Sequence, residues 1–479
     1  MRRLVILLLL LGSMGRGSAM AQGLSPWAEN PWYWSQDGTP VLLLGGSDDD
    51  NLFQWPEAEL IAQLDRIADA GGNVVRNTMS DRPDKGFEVY PFLKLDNGKY
   101  DLAQWNPEYW ERFDRFLEET ARREIFVQIE IWDRFDYTDS GQPKWQSHPY
   151  NPANNINYSY EESGFAPRYP DHPGANRQAF FFTTPEQRDN KVVLPYQRRF
   201  VERMLESSLK YDHVLYCIDN ETSAEEAWGR YWANLIKEQA SAAGKSVNVT
   251  EMWDDWNLQG GQHRKTFDHP ELYDFVDVSQ NNHNSGRVHW DRFRWVREYL
   301  SDRPRPINTT KTYGASGNKF GHTDQDGVER FWRHLLAGAA SMRFHRPDSG
   351  LGINDQAVAS IRAARKLESI IALWDLEPDD TVVRPVVEGR IQPDAISDNS
   401  AYAARAEGQG VAVFLPANPA GENAVVAVDL TDLEGRLQGR WIDVDSGEFG
   451  PELDCVGGEW RVFEAPRAGN WAIVVTRAK

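Results

Sequence analysis

The sequence has only two cysteines and no metal-binding motif. Both features argue against a disulfide-rich protein and against a metalloprotein. Its 479 residues include two cysteines, Cys217 and Cys455, which lie far apart and form no Cys-x-x-Cys pair. A disulfide framework or a redox motif is therefore not indicated, and we expect Cys217 to be a buried thiol. The sequence also lacks a His-x-x-x-His pair, so we predict no metal site and no cofactor.

Positive charge is scarce relative to negative charge. The chain carries 52 Lys and Arg against 72 Asp and Glu, a formal net charge of −20. Such a surface repels phosphate backbones and anionic lipids, so nucleic acid and membrane surfaces are not expected as partners. The 19 Trp and 17 Tyr exceed what a core of this size needs. Because flat rings stack on the apolar faces of sugars, we expect some of them to line a groove.

Residues 1–21 have the features of a secretory signal. Arg2 and Arg3 form a basic start, residues 4–11 form an apolar run, and Ala19-Met20-Ala21 forms a small-residue cleavage site. The apolar run is far shorter than the ~20 residues needed to span a bilayer. We therefore predict a secreted or periplasmic protein without a membrane span. The sequence does not indicate how many subunits it has.

Apolar segments of strand type alternate with amphipathic helical segments between residues 22 and 376. This strict alternation is typical of a closed (β/α)8 barrel, an α/β fold whose active sites lie at the carboxyl ends of the strands. A hairpin with an Asp37-Gly38 turn precedes the first strand, and a long insertion, 138–193, follows the third. We expect the insertion to be ordered and to face the substrate. The predicted strands are 41–46, 73–77, 125–131, 214–218, 247–250, 275–279, 306–310 and 342–345.

The pattern changes after residue 376. Helical periodicity ends, and short alternating runs separated by turn residues continue to the carboxyl end. Residues 377–479 are therefore predicted to form an all-β sandwich. Because no linker rich in Gly, Ser or Pro intervenes, we expect this domain to pack tightly on the barrel.

The stretch 213–223, HVLYCIDNETS, contains the leading catalytic candidate. Apolar residues stop at Asp219-Asn220-Glu221, the pattern of a buried strand that carries polar groups to the mouth of a barrel. A glutamic acid there can donate a proton to a leaving oxygen, and the neighbouring asparagine can hydrogen-bond a sugar hydroxyl.

With these motifs in this order, the chain resembles the clan A glycoside hydrolases, most closely the cellulase-like barrels that begin with a short β hairpin. The resemblance covers nearly the whole mature chain. In the barrel it is carried by NPWYWSQDGTPVLLLGG, GGNVVRN, QIEIWDRFDY, HPYNPANNINY and YCIDNE. In the C-terminal domain, GRWIDVDSGEFG and GNWAIVV are similar to the β-sandwich module named after collagen binding, a name that does not establish an activity.

The resemblance implies roles for particular residues. Glu221 would be the general acid/base and Asn220 its sugar-binding neighbour. Arg76 would support the active-site carboxylates, and His283 lies where a ring usually orients the nucleophile. The other residues expected to contact a carbohydrate substrate are Trp132, Asp133, Trp253, Trp256, Lys311, Tyr313 and Arg343.

One position departs from the family pattern. Clan A enzymes place a nucleophilic glutamate at the end of strand seven, where this chain has Lys311. A lysine cannot stabilise an oxocarbenium-like centre, since both are positive. For a hydrolase of polysaccharides or oligosaccharides the second carboxylate must therefore be displaced. We predict Glu251, after strand five, ahead of Glu130, Asp133 and residues 48–50.

Two other classes of function remain open. A desolvated Lys311 that loses its proton could serve as the base of a polysaccharide lyase, with Arg343 or Arg346 holding a uronate carboxylate. Alternatively, the barrel binds carbohydrate without turnover. Unsaturated products would mark the lyase, and tight binding without products would mark the binding protein.

The signal prediction has a direct test. Cleavage after Ala21 leaves Gln22 as the first residue of the exported protein, and N-terminal sequencing identifies it. We expect Leu8→Arg to retain the protein inside the cell, because a charge interrupts the apolar run. Arg3→Lys keeps the basic start and serves as the control. An exported protein that still begins at Met1 would disprove the cleavage site.

Overall fold

A (β/α)8 barrel is followed by an antiparallel β-sandwich, as the strand–helix alternation predicts. The computed structural model describes residues 23–80, 85–393 and 399–478, and the predicted signal segment 1–21 lies outside them. Within the described ranges, each helix is too short or too polar to cross a membrane.

The barrel strands follow one another around the sheet in chain order. Up to residue 344 the strands are β1 (Ser25–Pro26), β2 (Trp34–Gln36), β3 (Thr39–Val41), β4 (Leu43–Gly46), β5 (Val74–Thr78), β6 (Phe92–Lys94), β7 (Tyr100–Trp105), β8 (Phe126–Asp133), β9 (Val214–Asn220), β10 (Val249–Thr250), β11 (Val276–Asp277), β12 (Ile307–Thr312) and β13 (Ser341–Phe344). Eight of them pair in the order β10-β9-β8-β5-β4-β13-β12-β11, all in parallel. Between the two ends of this order, the Asp274 N–H donates to Val249 O over 3.0 Å and the Thr250 hydroxyl donates to Phe275 O over 2.7 Å.

Helices cover the outside of the barrel and bury their apolar faces against it. The helix Pro107–Arg122, which follows β7, is an example of how the sequence starts a helix. The Asn106 side chain caps this helix by accepting a hydrogen bond from the Glu108 N–H over 3.2 Å, and Pro107 occupies the first turn. Its buried face carries Tyr109, Phe113, Phe116 and Leu117 at helical spacing. The helices are α1 (Glu57–Asp69), α2 (Pro107–Arg122), α3 (Lys144–Ser147), α4 (Tyr160–Ser163), α5 (Leu194–Ser208), α6 (Glu226–Ala242), α7 (Gly261–Phe267), α8 (Gly286–Tyr299), α9 (Asp324–Leu336) and α10 (Asp355–Glu368).

The N-terminal hairpin closes the amino end of the barrel. Trp34 of β2 is fully buried and donates from its indole nitrogen to Asn308 Oδ1 over 2.9 Å. It packs against residues near the starts of barrel strands, including Leu43, Val74 and Phe126. Because this end is filled by a tryptophan and its apolar neighbours, a substrate can approach the barrel interior from the carboxyl end.

The insertion 138–193 is ordered, as expected, but most of its aromatic rings do not face outward. It consists of the short helices α3 and α4 with turns between them. Phe180 stacks on Tyr137 with ring centroids 4.0 Å apart and meets Tyr150 edge-on at 5.0 Å. Trp145 is fully buried. These rings form a small core that holds the insertion on the barrel rim.

In residues 377–393 and 399–478 of the C-terminal domain, the structure has ten further strands. They are β14 (Glu377–Pro378), β15 (Val383–Val387), β16 (Arg390–Ile391), β17 (Tyr402–Ala406), β18 (Gly410–Leu415), β19 (Val425–Asp429), β20 (Arg436–Asp443), β21 (Glu448–Val456), β22 (Trp460–Glu464) and β23 (Trp471–Arg477). One sheet has the order β14-β17-β18-β23-β20-β21 and the other β16-β15-β19-β22. Val411, Val413 and Ile473 of the first sheet share a core with Val426 and Val428 of the second.

The outer face of the six-stranded sheet belongs to the same core as the barrel. Successive side chains of a strand point to opposite faces, so Phe414 reaches the barrel while Val413 fills the sandwich. Phe414 stacks on Trp332 of α9 with ring centroids 5.4 Å apart, and Tyr402 packs against Trp290 of α8 at 5.2 Å. The expected tight packing of the two domains is therefore confirmed.

This shared core predicts that the two domains unfold together. We expect Trp332→Ala to lower the free energy of unfolding by about 3–5 kcal/mol, because a fully buried ring loses its contacts and leaves a cavity. Calorimetry should show one transition, shifted to lower temperature. Trp256, which is 57% exposed, provides the control, and Trp256→Ala should change stability by less than about 0.5 kcal/mol. Two separate transitions, one of them unshifted, would contradict a common core.

Candidate active site

The carboxyl ends of β9 and β12 bring three predicted residues together. Asn220 ends β9, Glu221 follows it, and Lys311 lies near the end of β12. The Lys311 ammonium donates to Glu221 Oε1 and, over 2.6 Å, to Asn220 Oδ1. The side chains of Lys311 and Glu221 are 2% and 15% exposed, so this ion pair is almost withdrawn from solvent. The pair joins two strands that do not neighbour each other in the sheet.

Glu221 adopts a backbone conformation that is unusual for a residue with a side chain. Its φ is +50°, in the left-handed region, which costs roughly 1–2 kcal/mol for a residue other than glycine. Such strain persists only where neighbouring structure holds it, and it is concentrated at functional sites. Here the next residue is held in place, because the Thr222 N–H donates to Met252 O over 2.7 Å.

Glu221 is ionised across the neutral and mildly acidic range. Burial alone would raise the pKa of its carboxyl, but the charge of Lys311 and the hydrogen bond from it lower the pKa to about 2. The charge of Arg76 and the Gln280 side chain lower it further. A carboxyl with this pKa does not serve as a proton donor near neutral pH. The general-acid role that the resemblance implies for Glu221 therefore conflicts with its surroundings.

Arg76 and Arg343 lie beside this pair and have carboxylate partners of their own. Arg76 contacts Asp50 Oδ1 at 2.7 Å and Glu130 Oε2 at 2.5 Å, and Arg343 contacts Asp50 Oδ1 at 3.1 Å. Burial alone would raise the pKa of Asp50, but the arginines and His345 hold it well below its usual value. Both arginines are buried. At 1% and 0% exposure, Arg76 and Arg343 pair with these carboxylates and are not open to a substrate, and the role of Arg76 in supporting catalytic carboxylates stays a prediction.

The carboxyl group of Asp254, which the sequence pattern does not single out, lies within electrostatic range of Glu221. The Asp254 N–H donates to Thr222 O over 2.8 Å, so Asp254 follows the strand next to the one that carries Glu221. Burial and, next, the negative charge of Glu221 together raise the pKa of Asp254 to about 6, although Lys311 opposes the rise. The available signal was its place in the segment EMWDDW, three residues after Glu251.

Glu251 does not face Glu221, contrary to the prediction. Its Oε1 accepts from the Asp219 N–H over 2.9 Å and the Met252 N–H over 3.0 Å. Its Oε2 lies against Gly229 of α6, near the Tyr273 hydroxyl. The side chain is therefore buried between the strands and the outer helix, on the side of the strand away from the barrel interior. It cannot be the second carboxylate at the mouth.

Two of the aromatic residues expected in the groove belong to the core instead. Trp132 is 1% exposed and packs against Phe200 and Trp232. Trp253 is also 1% exposed, and its indole nitrogen donates to Thr266 Oγ1 over 2.7 Å. A buried ring cannot stack on a sugar, so both expectations were wrong.

Of the remaining predicted residues, His283 and Trp256 are exposed at the rim, whereas Tyr313 and Asp133 are buried, at 6% and 3% exposure. Tyr313 stacks on the partly exposed Phe320 with ring centroids 5.3 Å apart, and His283 meets both rings edge-on. Trp256, at the exposed end of the Glu251 segment, offers an accessible ring. Asp133 is buried at the end of β8, where Oδ1 accepts from the Phe135 N–H over 3.0 Å. Through this hydrogen bond, Asp133 stabilises the first turn of the loop after β8.

Sequence comparison connects part of this site to a family without an assigned activity. A family model described as a domain of unknown function, DUF6298, matches residues 94–254, about a third of the chain. The matched segment includes Glu221 and Asp254 but neither Arg76 nor Lys311. None of the curated proteins matches the chain by sequence.

Solved structures share the architecture over nearly the whole chain. A glycoside hydrolase family 5 protein from Bacteroides vulgatus has a TM-score of 0.60 at 14% identity, covering 95% of this chain and 93% of that chain. A second structure, described as a glycoside hydrolase, has a TM-score of 0.61 at 12% identity, covering 95% and 97%. The chain has the fold of the family 5 glycoside hydrolases. The resemblance to clan A barrels is thus confirmed for the fold.

The buried ion pair predicts a strong coupling between its two members. We expect Lys311→Met and Glu221→Gln each to lower the free energy of unfolding by about 3–5 kcal/mol, because each leaves a buried partner without its counter-charge. The double variant should lose much less than the sum, which urea unfolding of all four proteins measures. Additive losses would contradict the pair.

The same pair predicts a dependence of stability on pH. The pKa of Glu221 lies at about 2 in the folded protein against a usual 4.5, so its stabilisation is present above that usual value and is lost as pH falls through about 2. Lys311→Met should remove this dependence. As a control, Lys191→Met alters an ion pair whose lysine is 76% exposed and should leave the acid dependence unchanged.

Proposed function

We propose that the protein is a secreted hydrolase of glycosidic bonds in a polysaccharide or oligosaccharide, with Glu221 and Asp254 as its carboxyl pair. The observation that carries this proposal is that Glu221, paired with Lys311, and the partly buried Asp254 follow neighbouring strands, where these surroundings favour a pKa of about 2 for Glu221 and about 6 for Asp254. Two carboxyl groups whose surroundings hold one ionised and the other protonated are what glycoside hydrolysis requires.

The pKa values assign the two roles. Asp254, the weaker acid, donates a proton to the leaving oxygen of the glycosidic bond. Glu221 remains ionised and acts on the opposite side of the sugar, either attacking the anomeric carbon or activating a water molecule. This assignment reverses the general-acid role that the family resemblance implies for Glu221, and it replaces Glu251 with Asp254 as the second carboxyl.

The cations of the mouth are compatible with a positively charged transition state. Lys311 is neutralised by Glu221, and Arg76 is neutralised by Asp50 and Glu130. Lys311 instead serves to ionise and orient Glu221, while Asn220 is held for contact with a sugar hydroxyl. His283 and Trp256, both exposed at the rim, supply rings on which sugar units can stack.

The structure gives less support to the other two functions. A lyase would need the Lys311 amine directed at its substrate, but this amine is buried, at 2% exposure, and engaged by Glu221 and Asn220. It would also need an arginine for the uronate, but Arg343 is buried against Asp50. A protein that only binds carbohydrate has no need of a carboxyl pair with separated pKa values or of the strain at Glu221.

The pair predicts the pH dependence of hydrolysis. We expect kcat/KM to be highest between pH values of about 2 and about 6 and to fall as pH rises through about 6, where Asp254 loses its proton. Asp254→Asn and Glu221→Gln should each lower kcat by roughly 100- to 10,000-fold, because each removes a group used in the transition state. Release of reducing sugar from a panel of plant, algal and microbial polysaccharides measures both effects.

Asp255→Asn is the matched control for these variants. Asp255 lies next to Asp254 but caps a turn, accepting from the Asn257 N–H over 2.9 Å, and an asparagine retains that acceptor. Its activity should stay within about twofold of the wild type. Full activity of Glu221→Gln would disprove the proposal. Oligosaccharide binding without products would favour a binding protein, and products with ultraviolet absorbance would favour a lyase.

A further inference from the structure

Two buried carboxyl groups, Asp219 and Glu251, lie behind the strand ends that carry the proposed catalytic pair. A single oxygen, Glu251 Oε1, accepts the N–H groups of Asp219 and Met252 over 2.9 and 3.0 Å. Asp219 lies two residues before Glu221 in the chain, and Met252 lies two residues before Asp254. Glu251 therefore joins the backbone segments that lead to the two catalytic candidates.

The surroundings of Glu251 favour a neutral carboxyl. It is 1% exposed, and burial together with the charge of Asp219 raises its pKa well above the usual value. Arg134 acts on both carboxyls through space, but its guanidinium donates to Asn176 Oδ1 over 2.6 Å and to Gln178 Oε1 over 3.3 Å. Within the described ranges, the second oxygen, Glu251 Oε2, has no hydrogen-bond partner, although it is buried.

Gly229 of α6 leaves the space that this second oxygen occupies. A Cβ at residue 229 would lie 2.9 Å from Glu251 Oε2 and 2.8 Å from the Tyr273 hydroxyl oxygen, closer than a carbon atom normally approaches either. A glycine inside a helix costs about 1 kcal/mol relative to alanine. Helix stability is thus lower at the turn against which the Glu251 carboxyl packs.

We propose that Glu251 is a positioning residue that clamps the two strand ends in its neutral form and so sets the spacing of Glu221 and Asp254. One carboxyl oxygen accepts the two backbone N–H groups, and the protonated oxygen faces the Tyr273 hydroxyl beside Gly229. The inference rests on the proposed function for the role of the pair, but the clamp itself is a property of the fold.

Two substitutions separate a neutral clamp from a catalytic carboxylate. Glu251→Gln keeps an acceptor oxygen and a donor group in place, so its kcat and pH profile should match those of the wild type within about threefold. Glu251→Leu removes both, and we expect kcat to fall ~10- to 100-fold with little change in KM, because small misplacements of catalytic groups have effects of this size. Loss of activity in Glu251→Gln to the level of Asp254→Asn would overturn the proposal.

Gly229→Ala provides a second test that leaves every carboxyl in the chain. Its methyl group displaces Glu251, which should lower kcat and move the alkaline limb of the pH profile to lower pH. The reason is that a wider spacing lessens the rise in the pKa of Asp254 caused by the charge of Glu221. Gly261→Ala, where a Cβ meets no atom within 4 Å, is the control. An unchanged profile in Gly229→Ala would contradict the clamp.

Infrared spectroscopy tests the neutral form whether or not hydrolysis is found. In mildly alkaline buffer, the wild-type protein should show the carbonyl band of a protonated carboxylic acid, and Glu251→Gln should lack it. Asp254→Asn should keep it, because Asp254 is ionised at that pH. Absence of the band in the wild type would overturn the neutral clamp. Its presence without any hydrolysis would leave the clamp intact and refute the proposed function.

Discussion

The ion pair between Glu221 and Lys311 is the interaction on which the candidate site depends. It joins β9 to β12, which are not neighbours in the sheet, and it is almost completely removed from solvent. A buried pair of this kind gives little net stability, since desolvation offsets the attraction, but breaking it is costly. Its main consequence is therefore structural specificity: Glu221 is held at a strained φ, ionised, and at a fixed place in the mouth.

That constraint also separates the proton affinities of the two proposed catalytic carboxyl groups. Asp50 and Glu130 are held by Arg76, and Glu221 is held by Lys311. Asp254 is partly buried beside the charge of Glu221, and this arrangement raises its pKa. The lysine at the strand-seven position, which at first argues against hydrolysis, thus creates the difference in proton affinity between two neighbouring carboxyls.

Much of this arrangement follows from the sequence, and the errors have a common cause. The eight strands, the strand end at Glu221 and the place of Lys311 are all evident from apolar runs that stop at polar residues. What such a run does not show is the face to which each later side chain points. Trp132 and Glu251 follow apolar runs, yet Trp132 lies in the aromatic core and Glu251 packs against α6.

A one-residue difference in strand length reverses these assignments, because successive side chains alternate between the two faces. The strand β8 runs on to Asp133, so Trp132, placed after the strand in the prediction, is a strand residue whose ring lies on the outer face against Phe200 and Trp232. The edge strand β21 was not predicted at all, because its exposed sequence EFGPELDCV contains Gly and Pro. Apolar pattern identifies buried strands well, and it carries little information about exposed ones.

The accessory domain extends the same argument beyond the mouth. The six-stranded sheet packs through Phe414 on Trp332 of α9, the helix that connects β12 to β13. Those two strands carry Lys311 and Arg343, the cations that pair with Glu221 and Asp50. Because protein cores are close-packed, a shift of α9 is transmitted to the strands beneath it. The β-sandwich therefore braces the half of the barrel that holds the cations, while the Glu251 contacts brace the half that holds the proposed catalytic carboxyls.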